Sequence, residues 1–116
     1  MKTVTIYHNP RCTKSRETLT LLKEHGIDPR IVEYLKDPPT KDEVKSIIKM
    51  LGGNAAALVR TKEPAYKNSG LTATSSADNI ARAIAKEPIL LERPVVVHGK
   101  KAAIGRPPEN VLSLLG

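Results

Sequence analysis

Thr3-Val4-Thr5-Ile6-Tyr7, then His8-Asn9-Pro10-Arg11-Cys12, then Thr13-Lys14-Ser15-Arg16-Glu17-Thr18-Leu19 decide how this chain folds. The first five residues alternate and are rich in β-branched side chains, which reads as a strand. His8 to Arg11, with Pro10 inside it, reads as a turn or loop. Thr13 to His25 then reads as a helix, with Leu19 and Leu22 on one face and Gly26 as its stop. Arg30-Ile31-Val32-Glu33-Tyr34 follows as a second strand. Strand, helix and strand within about 35 residues is close to the size of a βαβ unit.

Beyond it, Lys36-Asp37-Pro38-Pro39 interrupts the pattern. Thr40, with Glu43 three positions on, predicts a capping box opening a helix that carries Val44, Ile47, Ile48 and Leu51 and ends at Gly52-Gly53. Asn54 to Glu87 reads as helix and loop, with Ser76 capping a helix through Ile80, Ala83 and Ile84. Pro94-Val95-Val96-Val97-His98 is a short apolar strand, and Gly99-Lys100 turns the chain into Lys101-Ala102-Ala103-Ile104 as a hairpin. Pro107-Pro108-Glu109 opens a last helix through Leu115. The order βαβ, helices, ββα predicts an α/β fold with a mixed sheet, the thioredoxin arrangement, as one domain over residues 1–116. The stretch from about 40 to 87 is then a helical insertion between the two halves.

The 116 residues are 40% hydrophobic and 27% charged, which is globular composition. With no Phe, no Trp and three Tyr, the core must be aliphatic. The net charge of +7 favours anionic partners. Nucleic acid is disfavoured, because the basic residues are spread out and aromatics for base stacking are scarce. The chain begins Met1-Lys2-Thr3-Val4 without an apolar leader, and no apolar run approaches the ~18 residues of a membrane span, so a cytoplasmic protein with no membrane partner is expected.

Cys12 is the one cysteine, so no disulfide forms within the chain. It stands where loop meets helix. The N–H groups and positive dipole end of a helix stabilise an anion there and favour the thiolate, which is the nucleophile. Its flanks, Pro10, Arg11, Thr13 and Lys14, are too polar for a core cysteine, so it is expected to be at least partly accessible. Ser15, three residues on, can share a helix face with Cys12 and hydrogen-bond the thiolate. The resulting Cys12-Thr13-Lys14-Ser15 is the monothiol form of C-x-x-C and needs an external thiol for any redox cycle. His8 adds charge near the thiolate if protonated, or relays a proton if neutral; a strand-end histidine bonded to backbone is an equal alternative. His25 suits a helix C-terminus, and His98 a hairpin turn. No His, Cys and acidic residues have metal-ligand spacing.

Arg60, Arg93 and Arg106 each lie at the edge of an apolar element, where a guanidinium can be held as a fork for a tetrahedral oxyanion. For any one of them, a solvated surface position is the simpler explanation. Nucleotide-binding glycine motifs are absent, and position 18 is Thr where a Cys-x5-Arg phosphate loop would need Arg.

The run His8 to Thr18 resembles the active-site loop of the glutaredoxin-coupled arsenate reductases. The resemblance continues through Tyr34 to Thr40, Leu58 to Glu63, Pro88 to Pro94 and Ile104 to Glu109, nearly the whole chain in one register. It implies Cys12 as catalytic cysteine and His8 as its auxiliary, with Arg60, Arg93 and Arg106 binding the oxyanion; Ser15 is expected beside them as a substrate-binding residue. It also implies a cis Arg93–Pro94 bond. The implied reaction is arsenate to arsenite through a thiol-arsenate intermediate, with no bound cofactor, glutathione as co-substrate and glutaredoxin as partner. The chain ends soon after its last helix and is similar to a short chromosomal branch of that family. Two alternatives stand beside this one. The first is a regulator resembling the RNA-polymerase-binding Spx factors, against which Ser15 in place of a second cysteine counts. The second is a general glutathione-linked thiol oxidoreductase. If the three arginines serve one oxyanion, their guanidinium groups should converge around Cys12.

Overall fold

The computed structural model describes residues 3–72 and 74–115. Within them the Cα positions fall into two compact units, one running up to Asp37 and again from Arg93, the other spanning Pro38–Glu92. The inserted stretch therefore forms a compact body of its own, a few residues wider at each end than the span 40–87.

The first unit is built on a four-stranded mixed sheet: β1 (Val4–His8), β2 (Arg30–Glu33), β3 (Val95–His98) and β4 (Lys101–Ile104), in the order β2-β1-β3-β4. β1 pairs parallel to β2 and antiparallel to β3, and β3 antiparallel to β4. The parallel pair requires a crossover, and α1 (Thr13–Glu24) supplies it. Helix α1 ends at His25, whose backbone N–H bonds to the carbonyls of Leu21 and Leu22; Gly26 follows at φ 77, left-handed backbone that glycine adopts without strain. Alternation decides which side of the sheet is buried. Ile6 and Val96 are register partners and pack with Val4, Leu22, Val111 and Leu114 in one aliphatic cluster.

The C-terminal segment corrects the expected last helix. Pro108–Leu114 is a 3₁₀-helix. Two consecutive prolines withhold backbone donors at its start, and Asn110 N–H closes instead on Pro107 O, three residues back, at 3.0 Å. Its Val111 and Leu114 still reach the core.

The second unit packs α2 (Lys41–Met50) against α4 (Ala77–Lys86), with the short α3 (Pro64–Lys67) between them in sequence. Thr40 and Glu43 form the capping box, and Ser76 Oγ accepts from Asn79 N–H. Val44, Ile47 and Ile48 of α2 and Ile80, Ala81 and Ile84 of α4 are buried. An antiparallel bridge pairs Val59 with Leu91, flanked by Arg60 N–H to Leu90 O and Glu92 N–H to Leu58 O. Among the described residues, no helix is long and apolar enough to cross a membrane.

Candidate active site

The loop between β1 and α1 is held by its own polar groups. Cys12 N–H closes on Asn9 O at 3.0 Å, so Asn9–Cys12 is a tight turn. Arg11 N–H donates to Asn9 Oδ1 at 3.0 Å, and Arg16 Nη1 reaches back to Pro10 O at 2.8 Å. This turn delivers Cys12 to the N-cap position of α1, with extended backbone and no side-chain capping bond. The expected helix N-terminus is therefore present. The expected accessibility is not: Cys12 is only 7% exposed. Its polar neighbours face solvent while the sulfur turns inward, and Arg106 Nη2 lies 3.9 Å from Sγ.

Arg106 is fixed at its other end, where Nε donates to Arg93 O at 2.9 Å. Arg93 precedes a cis peptide bond to Pro94, as the resemblance implied, and Arg106–Pro107 is also cis, which nothing in the sequence reading anticipated. The Arg93 side chain is half-buried, with Nε out of solvent contact. Arg60 belongs to the other unit, where its Nη1 pairs with Glu63 Oε2 at 3.0 Å. The first unit thus brings Arg106 to Cys12 and ties Arg93 to Arg106 through the backbone.

Ser15 also differs from expectation. It is fully buried, and its Oγ lies 2.6 Å from His8 Nδ1 and accepts from Asn9 N–H at 3.0 Å. The hydroxyl is committed to the strand end and the loop rather than to the thiolate. His8 is accordingly bonded to a side chain, not to backbone. Burial pushes the His8 imidazole below its ordinary titration range; Glu33 opposes that shift, and Arg16 and Lys23 add to it. His8 is therefore neutral at neutral pH and brings no charge to the sulfur. His25 Nδ1 bonds to Leu21 O at the end of α1, and His98 Nδ1 donates to Leu114 O at 2.6 Å, tying β3 to the C-terminal 3₁₀-helix.

Three supporting residues escaped the sequence reading. Thr18, one turn beyond Ser15 and also fully buried, donates from Oγ1 to Lys14 O at 2.8 Å. Gly105 lies directly against it: a Cβ there would stand 2.5 Å from Thr18 Oγ1 and 2.8 Å from Pro94 Cγ. The glycine lets α1, the Pro94 segment and the residue before Arg106 meet. Glu63 is the third such residue, and its i,i+3 spacing from Arg60 was the available signal.

The arrangement offers a buried sulfur at a helix N-terminus beside a rigidly held guanidinium. That combination suits attack on an anionic centre, because the cation offsets repulsion between nucleophile and target.

A model of the ArsC family matches residues 7–114. An Escherichia coli K12 protein known as uncharacterized protein YfgD is 50% identical, covering 99% of this chain and 98% of its own. An arsenate reductase of Neisseria meningitidis is 46% identical over 99% of this chain and 100% of its own. Of solved structures, the arsenate reductase from Vibrio cholerae matches with a TM-score of 0.91 at 45% identity, covering 97% of this chain and 98% of that one.

Proposed function

Since this chain belongs to the ArsC family, we propose that it reduces arsenate to arsenite with Cys12 as nucleophile, using glutathione and glutaredoxin as the source of electrons. The observation that carries the reading is Arg106 Nη2 lying 3.9 Å from Cys12 Sγ at the start of α1.

In the first step Cys12 Sγ attacks As(V). An S–As bond forms, one As–O bond breaks, and that oxygen leaves as hydroxide and is protonated to water. Arg106 offsets the charge of the oxyanion, and the positive end of α1, at whose N-cap Cys12 sits, adds to that stabilisation. Arg93 and Arg60 are assigned as further oxyanion ligands from the family resemblance. In the second step a glutathione thiolate attacks Cys12 Sγ. The electron pair of the S–As bond stays with arsenic, which departs as arsenite, As(III), and Cys12 is left in a mixed disulfide with glutathione. Glutaredoxin's thiolate then attacks the glutathione sulfur and releases Cys12. The external thiols are required because the chain has a single cysteine and cannot form a disulfide of its own. His8 and Ser15 position the loop, with His8 acting as a neutral imidazole.

The test is arsenite release in the presence of glutathione and glutaredoxin, comparing wild type with Cys12→Ser. Turnover by the wild type and none by the variant is expected. No arsenite from the wild type, or equal release by the variant, overturns the reading.

A further inference from the structure

A cavity of about 250 Å³ opens beside the Cys12 loop, at the carboxyl ends of the parallel strands β1 and β2. Crevices outside the carboxyl ends of parallel strands are where open α/β sheets take their ligands. One wall is the tight turn itself, Asn9, Pro10 and Arg11, which closes on Cys12 through the bond from Cys12 N–H to Asn9 O. The rest of the lining comes from His8, the end of β2 and the residues after it: Glu33, Leu35 and Lys36. His8, which positions the loop, also lines the cavity, but the steps proposed above place no substrate in it.

Its charges have a pattern. Arg11 and Lys36 bring two cations, Glu33 one carboxylate, and Pro10 and Leu35 apolar surface. Leu35 is 45% exposed, a large aliphatic side chain standing in solvent. Lys36 Nζ and Glu33 Oε1 are 3.7 Å apart, but the lysine side chain is 82% exposed. Such a pair contributes little to stability and yields easily to a competing ion. A ligand complementary to this wall carries two carboxylates, one ammonium and a short apolar stretch, and is small enough for the space. A γ-glutamyl tripeptide thiol has that chemistry.

We infer that this cavity is the binding site for the small peptide thiol, glutathione, that attacks the Cys12–arsenic adduct, with Lys36 and Arg11 holding its carboxylates and Glu33 its ammonium group. The inference rests on the proposed thiol-dependent chemistry. It separates the two substrates: the oxyanion belongs to the arginines, the thiol to the β1–β2 end of the sheet.

The test uses S-methylglutathione, which cannot react, titrated into the Cys12→Ser protein and followed by amide NMR. Shift changes are expected at residues 8–11 and 33–36. Lys36→Glu should weaken binding about tenfold, and Lys36→Arg should restore it. In turnover, Lys36→Glu should raise the glutathione KM about tenfold while the arsenate KM and kcat stay within twofold. A merely structural role for Lys36 would not produce that split. Absence of binding, shifts mapping elsewhere, or an unchanged glutathione KM in Lys36→Glu overturns the inference. Binding at the cavity by a protein that releases no arsenite would leave the thiol site standing and remove arsenate as the substrate.

Discussion

Arg106 meets Cys12 across 94 residues of sequence, its Nη2 3.9 Å from the sulfur while its Nε is anchored on Arg93 O. Two separate N–H groups of one planar fork are thus engaged, which an ammonium on a flexible stem cannot reproduce. Arg106→Lys should lower kcat/KM for arsenate by roughly 10- to 100-fold, in the range of a lost charge-assisted contact to a developing oxyanion. Because Arg106 is exposed, its loss should change unfolding free energy by less than about 0.5 kcal/mol. Arsenite-release kinetics beside urea unfolding will separate the two effects.

Gly105 has no room for a methyl group. Its Cβ would meet Thr18 Oγ1 at 2.5 Å and Pro94 Cγ at 2.8 Å, and both residues are buried. Gly105→Ala should destabilise the protein by about 1–3 kcal/mol, the usual cost of overpacking. Adding Thr18→Ala should relieve part of that loss and not all of it, because Pro94 remains. Denaturant midpoints of the single and double variants measure this directly.

Ser15 satisfies two partners at once, His8 Nδ1 and Asn9 N–H, in a fully buried position. Ser15→Ala strands both groups and should cost about 1–3 kcal/mol, the penalty for leaving buried polar groups unsatisfied. Activity should fall further than stability alone explains, since Asn9 begins the turn that carries Cys12. Calorimetry paired with single-turnover kinetics checks both halves of this expectation.

His8 gives the fold a defined response to acid. Burial holds its folded-state titration below the ordinary value of 6.5. Between those two values the unfolded chain binds a proton that the folded chain does not. The stability that His8 contributes is therefore complete above 6.5 and is lost as the pH falls through that value towards the folded-state one. Unfolding free energy measured across this window should decline in the wild type, and His8→Gln should flatten the decline.

Local pattern carried most of the architecture. Alternation in Thr3 to Tyr7, the glycine after His25, the Thr40–Glu43 box and Ser76 each act over a few residues, and each fixed its element. The candidate site was less legible because its geometry is not local. Spacing in the helix pointed Ser15 at Cys12, whereas the buried partner proved to be His8, seven residues back on a strand. Polar flanks suggested an open sulfur, but flanks record the exposure of Arg11 and Thr13, not the direction of the Cys12 side chain. The bond from the Arg106 side chain to Arg93 O joins the start of β3 to the end of β4 and has no one-dimensional signature. The 3₁₀ character of the last segment follows from two adjacent prolines, whose effect on hydrogen-bond spacing is invisible to apolar periodicity.

Cys12 occupies the position at which a helix ordinarily carries Ser, Asp, Asn or Thr, and its side chain makes no capping bond. The proposed nucleophile is seated where a capping side chain would stabilise the helix. Cys12→Asp should accordingly yield an inactive protein more stable than the wild type, by about 1 kcal/mol, the typical contribution of a good N-cap. In the proposed reaction Cys12 exchanges robustness for reactivity at a single position, and an arsenate ion docked on the bare first turn would recover part of the difference by serving as the helix's transient cap.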